Sequence, residues 1–540
     1  MYKKHAFRLF AALLFIPVAA GVAADDKTPP PLRTVLDSPT SRCPALGAPL
    51  GQAARERLIA FYQPEGFAPI WTSYARLDPL LEQLKALADD GLEPSVYGPE
   101  RIRRAMQTAT ADPLHRECAD IQASHAYLQA LDHLAHGRLP QDRFEPVWRS
   151  PNATAQQQET RRMQAIARAG LDDIAGAFEQ ARPALEPYHN LRKAYARLRQ
   201  APPASWLPLP SGKTLRPGMD DDRLPLLRQR LVAGDYLPAS SLEADVATGY
   251  GDRDIAAVKA FQARHGLQDD GIVGAETLAA LNATPAERLG QLRVNLERMR
   301  WLARDIEPHS LLVDIAGGRV VFFKDGEPRW EARTQVGRET RPTPAIKSNV
   351  TRLTLNPTWT IPPTIQREDK LPKIRENIDY LAEQGLQVID YDGRVLDPQQ
   401  VDWANPGKIM LRQAAGPDNP LGRVVIRFAN PFSIYLHDTP SQGLFTRNQR
   451  AFSSGCVRVQ SIMELVDLLL TDEERERVET LLAHGETYEF RLAQPTPILL
   501  GYWTAEADSA GTPRFRPDIY HRDGTLLAAL RSADRDALLE

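Results

Sequence analysis

Apolar positions three to four residues apart dominate the chain from about residue 53 to 220 (Leu80, Leu81, Leu84, Leu87; Tyr127, Leu128, Leu131, Leu134), which predicts a helical scaffold. A Pro-rich break follows at Ala201-Pro202-Pro203 through Pro210, and a second, compact pattern occupies 221–285. There Leu227, Leu231, Val258, Phe261, Leu267 and Leu281 predict short amphipathic helices, with Gly266, Gly271 and Gly274 at turns. A connecting helix with Leu292, Leu296, Met299 and Trp301 fills 286–308. The period then changes to two. Leu311 to Ile315, Arg319 to Phe323, Val350 to Leu355, Val424 to Phe428 and Ser433 to Leu436 predict strands of a β-rich domain over 309–495. Charged, helix-compatible sequence interrupts it at about 365–420, and residues 496–540 form a C-terminal segment packing on one of these units. The fold class expected is α+β, multi-domain.

The remaining apolar run, Leu9 to Val22, follows Lys3, Lys4 and Arg8 and ends in Ala23-Ala24 before two aspartates. This reads as a secretory signal over 1–24 rather than a membrane anchor, because the run is short of a bilayer span and contains Pro17. No membrane span is expected after its cleavage. A Pro-rich, mobile leader is expected over 25–52.

Among 540 residues 25 % are charged and 43 % hydrophobic, with a formal net charge of -3. That is the profile of a soluble globular protein and makes no electrostatic case for nucleic acid. Three cysteines, Cys43, Cys118 and Cys456, leave one thiol unpaired within the chain. Either Cys43 pairs with Cys118 and Cys456 stays free, or all three are buried and inert.

Chemistry concentrates where predicted strand residues Ile434-Tyr435-Leu436 deliver His437-Asp438-Thr439, shortly before Ser454-Gly455-Cys456-Val457-Arg458. Cysteine attack on a carbonyl needs thiolate, which a neighbouring imidazole supplies by taking the proton. Gly455 permits close backbone approach, so that the Cys456 amide and a neighbouring N–H can meet a developing oxyanion. Arg458 shares a strand face with Cys456, and its fork suits a substrate carboxylate.

The string from His437 to Thr439 followed by Ser454 to Arg458 resembles the active-site motif of the L,D-transpeptidase (YkuD-type) catalytic domain. Ser454 stands where the common form of the motif has His, as in the large multi-domain periplasmic branch of the family. Val336-Gly337-Arg338, Thr343-Pro344, Asn356 to Thr364, Arg412-Gln413 and Asn419-Pro420-Leu421-Gly422 extend that likeness. So do Tyr62, Phe67, Pro69 and Trp71 near the start and Phe515, Asp518, Ile519 and Tyr520 near the end. The arrangement Ala257 to Gln262, Gly266-Leu267, Asp270 to Gly274 and Thr277-Leu278 resembles three-helix peptidoglycan-binding domains.

The resemblance implies Cys456 as nucleophile, His437 as general base and acid, and Gly455 as part of the oxyanion hole. Arg458, Ser454, Tyr435 and Trp359 would contact substrate, the alternative for Tyr435 and Trp359 being a place as core aromatics, which for Trp359 weighs equally. It implies a lid over about 365–420, no metal and no organic cofactor. The expected partner is peptidoglycan, as tetrapeptide donor and diaminopimelate acceptor, in the Gram-negative periplasm. A glycan synthase and a D,D-carboxypeptidase are the partner classes that would supply the donor. The expected product is a 3→3 cross-link through a cysteine thioester, with susceptibility to carbapenems. A hydrolase using the same pair, and a non-catalytic wall-binding scaffold, remain the rival readings.

Overall fold

The computed structural model describes residues 31–37, 43, 50–108, 112–149, 153–201, 207–242 and 249–539. The signal expected over 1–24 lies outside them. Among the described residues no helix is long and apolar enough to cross a membrane.

The first helical unit is built around the 24-residue helix Pro113–His136, capped by Asp112, whose carboxylate accepts from Leu114 N at 2.9 Å. Its Asp120 is buried and accepts from Tyr62 Oη (2.6 Å), Ile70 N (2.9 Å) and Trp71 N (2.7 Å), satisfying a charge that burial alone would penalise. Tyr62 and Trp71 are therefore packing residues of this unit. Where a mobile leader is expected, Pro31–Asp37 instead forms a helix that buries Leu32, Val35 and Leu36. Cys43, just beyond, is joined to Cys118 by a disulfide. Three apolar side chains set at helical spacing outweigh the turn-forming prolines that precede them.

The small unit holds helices Leu224–Ala233, Asp252–Arg264 and Ala275–Asn282. Buried Gln262 organises its turn: Nε2 donates to Asp270, Ile272 O and Thr277, while Oε1 accepts from Gly271 N at 2.8 Å. The helix Pro285–Leu302 opens with a reciprocal cap between Thr284 and Glu287 and is buried along most of its length. Its Arg298 is neutralised by Glu145 (2.7 Å) and Asp523 (2.5 Å), and Arg300 by Glu297 (2.6 Å). The two Arg298 pairs tie together the first unit, the connecting helix and the C-terminal helix Asp523–Leu539.

The β-rich unit follows. Its strands are β1 (Trp148–Arg149), β2 (Ser310–Asp314), β3 (Arg319–Lys324), β4 (Glu327–Gly337), β5 (Ile346–Leu355), β6 (Trp359–Thr360), β7 (Leu386–Asp390), β8 (Ile409–Gln413), β9 (Val424–Phe428), β10 (Leu436–His437), β11 (Ala451–Ser453), β12 (Val457–Val459) and β13 (Tyr488–Gly501). The order β5-β13-β2-β3-β4-β12-β10-β9 closes on itself because β9 also pairs with β5, giving a closed barrel; β1 and β11 pair outside this circuit. Strand β13 continues to Gly501 and pairs with β2, so the barrel takes in residues beyond 495. The helix Ile462–Leu469 contributes Leu465 and Val466 to the barrel core.

Between β5 and β9 the chain leaves the barrel. It forms helical turns at 363–376 and 380–383 and a separate sheet of order β6-β8-β7, packed on its own small core of Ile361, Ile374, Val388 and Leu411. The strands β7 and β8 were not apparent in the pattern of charged residues.

Candidate functional site

Strands β10 and β12 run parallel, with Leu436 opposite Val457 and His437 opposite Arg458. Period two along each strand then puts Tyr435, His437, Cys456 and Arg458 on one face, opposite the buried Leu436 and Val457. The Tyr435 and His437 rings meet edge to face, with centroids 5.8 Å apart at 66°. Arg427, from β9, lies over the Tyr435 ring at 5.2 Å.

His437 is 4 % exposed, and its Nδ1 lies 2.6 Å from Asp438 O. A carbonyl only accepts, so Nδ1 carries the proton and Nε2 is left with a lone pair, the tautomer a base requires. The carbonyl of Pro420 also faces the ring. Burial and then the nearby Arg458 hold the imidazole down to about 3, against the two carbonyls.

Cys456 is free and half-buried. Burial pushes its thiol up to about 11, opposed by Tyr435, Arg458 and Arg427. The sulfur donates weakly to Ser433 O at 3.6 Å and makes no hydrogen bond to His437 among the described residues. The resting pair is therefore neutral thiol beside neutral imidazole, and an ion pair forms only when something alters that environment.

The loop before the sulfur is held from within and from behind. Ser453 Oγ accepts from Gly455 N (3.1 Å) and donates to Cys456 O (2.5 Å). Gly455 has φ +114°, a value that disfavours any side chain. Its own amide is committed to Ser453, whereas the Cys456 amide makes no hydrogen bond among the described residues.

Arg458 Nη1 donates to Gln335 Oε1 at 3.1 Å, and its buried Nε has no partner. Ser454 Oγ accepts from Arg341 Nη1 at 3.0 Å, and Arg341 in turn pairs with Asp369 (2.7 Å) and Glu368 (2.6 Å) of the insertion. Trp359 stands apart from this face: it packs against the insertion's own core, with Lys370 Nζ 5.6 Å from its ring. Gln335, Arg341, Thr343 and Ser453 were not singled out as site residues. Ser453 and Thr343 lie in segments that carry the family likeness, whereas Gln335 and Arg341 act through contacts distant in sequence.

Residues 308–480 match the YkuD family, the L,D-transpeptidase catalytic domain. Residues 56–194 match the scaffold domain family, and residues 221–281 a family described as "Putative peptidoglycan binding domain". A Haemophilus influenzae protein described as "Putative L,D-transpeptidase" is 34% identical over 238 residues, 43% of this chain and 48% of that protein. The chain thus spans about half the length of the curated relative it matches. The solved structure of the Ldtfm-avibactam carbamoyl enzyme has 14% identity and a TM-score of 0.19 over 36% of this chain and 49% of its own, too slight a likeness to carry weight. The chain is a multi-domain protein that carries the L,D-transpeptidase catalytic domain of the YkuD family, with a scaffold domain and a peptidoglycan-binding domain before it.

Proposed function

We propose that the protein is a cysteine acyltransferase of peptidoglycan peptide stems, an L,D-transpeptidase that makes 3→3 cross-links. The observation that carries this reading is the free Cys456, with an uncommitted amide, on one barrel face with a base-competent His437, inside a YkuD-family domain.

In this reading a donor tetrapeptide binds across Arg458, whose unpartnered Nε and fork take a stem carboxylate. The thiol turns from Ser433 O to His437 Nε2 and passes it the proton as sulfur attacks the carbonyl carbon of the third stem residue. Negative charge develops on that carbonyl oxygen and is met by the Cys456 N–H. Collapse breaks the peptide bond, the terminal D-alanine leaves with the proton from His437, and a thioester remains. The side-chain amine of a second diaminopimelate then attacks, His437 takes its proton and returns it to the departing sulfur. Carbapenems, as strained acyl donors, would acylate the same sulfur. No metal or organic cofactor enters the scheme.

Export to the periplasm fits the Cys43–Cys118 disulfide, since such bonds persist in oxidising compartments. The insertion tied to Ser454 through Arg341 acts as a lid in this reading. A glycan synthase and a D,D-carboxypeptidase would supply its donors.

Mass spectrometry of disaccharide tetrapeptides incubated with the protein and with Cys456→Ala tests the assignment. A diaminopimelate-linked dimer absent from the mutant is expected. Tripeptide without dimer would assign a hydrolase, and no product from either protein would sink the catalytic reading.

A further inference from the structure

Away from Cys456, a cavity of about 580 Å³ lies where the helix Asp252–Arg264, the β2–β3 turn, the outer side of β4, residues 448–451 and the C-terminal segment meet. Its volume is in the range of small-molecule sites. Six arginines line it (Arg264, Arg319, Arg333, Arg450, Arg514 and Arg516) against the carboxylates Asp269, Glu331 and Glu506. Six minus three leaves a formal excess of three positive charges.

Arg319 and Arg516 both engage Glu506, at 2.5 and 2.6 Å. Arg264, Arg333, Arg450 and Arg514 have no carboxylate within salt-bridge distance among the described residues. Arg450 is the telling case. Its guanidinium spends all five N–H groups on the carbonyl oxygens of Thr334 (3.1 Å), Arg447 (2.6 Å), Asn448 (3.1 Å), Gly317 (3.1 Å) and Gly318 (2.9 Å), so it lends the wall positive charge rather than a free donor. Burial, with Arg333 and Arg516 nearby, holds it down to about 10, with only Asp314 acting the other way. A desolvated cation among like charges is an electrostatic cost that a bound anion relieves.

The cavity is also placed between two working parts of the chain. The side-chain amide of Asn448 donates to Leu267 O of the small helical domain, and Arg450 directly precedes β11, the strand that leads to the Ser453–Cys456 loop. A ligand in this cavity therefore sits between the domain that matches a peptidoglycan-binding family and the segment that carries Cys456.

We propose that this cavity is a second binding site for the free carboxylates of a peptidoglycan peptide stem, gripped by the forks of Arg264, Arg333 and Arg514 beside the buried charge of Arg450. It rests on the functional reading above for its ligand, and it seats a stem of the glycan strand held by the small domain while another stem occupies Cys456. Arginine forks spread over several walls suit carboxylates spaced along an extended peptide, and planar guanidinium recognises carboxylate through two parallel hydrogen bonds. Phosphate offers the same oxyanion chemistry in compact form and is the competing source.

Calorimetric titration of full-length Cys456→Ala, which leaves the ligand intact, with a disaccharide tetrapeptide tests the site. The double change Arg333→Gln and Arg514→Gln, both at exposed positions, is expected to weaken binding at least tenfold. Amidating the ligand's carboxyl groups should weaken it equally on the unchanged arginines. Arg514→Glu alone should give the same direction, should the double variant fail to fold. Equal affinity in these variants, equal affinity for the amidated ligand, or displacement of the tetrapeptide by inorganic phosphate at lower concentration than the tetrapeptide itself would overturn the assignment. Turnover is read separately on the protein with Cys456 intact. Arginine-dependent binding without turnover would fault the catalytic reading alone, and turnover with arginine-independent binding would fault this one alone.

Discussion

Thr343 Oγ1 donates a 2.7 Å hydrogen bond to the carbonyl of Gly455 while accepting one of 2.8 Å from Gly337 N. The hydroxyl is fully buried and joins β4 to the residue before Cys456. Thr343→Val keeps the shape and orphans both backbone groups, which costs about 1–3 kcal/mol for each buried group left unpaired. The variant should unfold at lower denaturant concentration and acylate Cys456 at least about tenfold more slowly, since small displacements of reacting groups cost large factors in rate. Chemical denaturation beside single-turnover acylation checks both, and an unchanged acylation rate would show that Thr343 serves stability alone.

The neutral resting pair has a pH signature. With the thiol at about 11 and the imidazole at about 3, alkylation of Cys456 by iodoacetamide should climb about tenfold per pH unit from pH 7 to 10. A plateau extending to pH 6 would instead reveal a preformed thiolate–imidazolium pair.

Acid stability follows from the same burial. His133, His265 and His437 are held down to about 3 and His125 to about 4, from an ordinary 6.5. Each folded-state value lies below the unfolded one, so folding excludes protons. The stability these groups contribute is fully present above pH 6.5 and is lost as pH falls through the folded values. Thermal unfolding midpoints should therefore fall steadily from pH 6.5 toward 4, and a midpoint flat across that window would contradict the burial of these rings.

The Cys43–Cys118 disulfide closes a loop of 75 residues in sequence and pins the N-terminal helix to Pro113–His136. Restricting the unfolded chain over a loop of that size stabilises by up to about 4.5 kcal/mol. Cys43→Ala with Cys118→Ala should lower the denaturation midpoint of the scaffold while Cys456 alkylation continues unchanged. Loss of both together would mean that the catalytic unit depends on the scaffold for its fold.

How far the site could be read from the chain depended on the range of the contacts involved. His437 and Cys456 lie within one short stretch, and period two along a strand is enough to put Arg458 on the same face as Cys456. Arg341 and Thr343 reach the loop before Cys456 across more than a hundred residues, and no local pattern encodes such a contact. Trp359 and Tyr435 looked alike as aromatics beside polar neighbours. Folding separates them, because β6 pairs with β8 inside the insertion, whereas Tyr435 continues the barrel strand that bears His437. The sheet of the insertion was obscured for a related reason: its strands are five residues or fewer and are flanked by charge, so neither period persists long enough to register.

Arg341 supplies the last prediction. It is the link between Ser454 and the insertion, donating to Ser454 Oγ while pairing with Glu368 and Asp369, and Arg338 stands 3.6 Å from Asp369 as a weaker second tie. The two carboxylates sit in a wide π-helical turn, Gln366–Lys370, a geometry rarely kept without a local reason. Arg341 is mostly shielded from solvent, and side-chain hydrogen bonding to Asp369 holds that carboxyl below its usual range, so the pair is more than a screened surface contact. Arg341→Ala should free the insertion from the barrel. Hydrogen exchange across residues 365–420 should accelerate while exchange in the barrel strands stays slow. If the insertion covers substrate, KM for the tetrapeptide should rise more than kcat falls, and Arg341→Lys should restore part of the KM, because a lysine reaches one carboxylate but cannot hold both with Ser454. Unchanged exchange in 365–420 would mean that the insertion is held by its other contacts, such as Asn419 with Pro357 O at 3.0 Å, and that Arg341 acts on Ser454 alone.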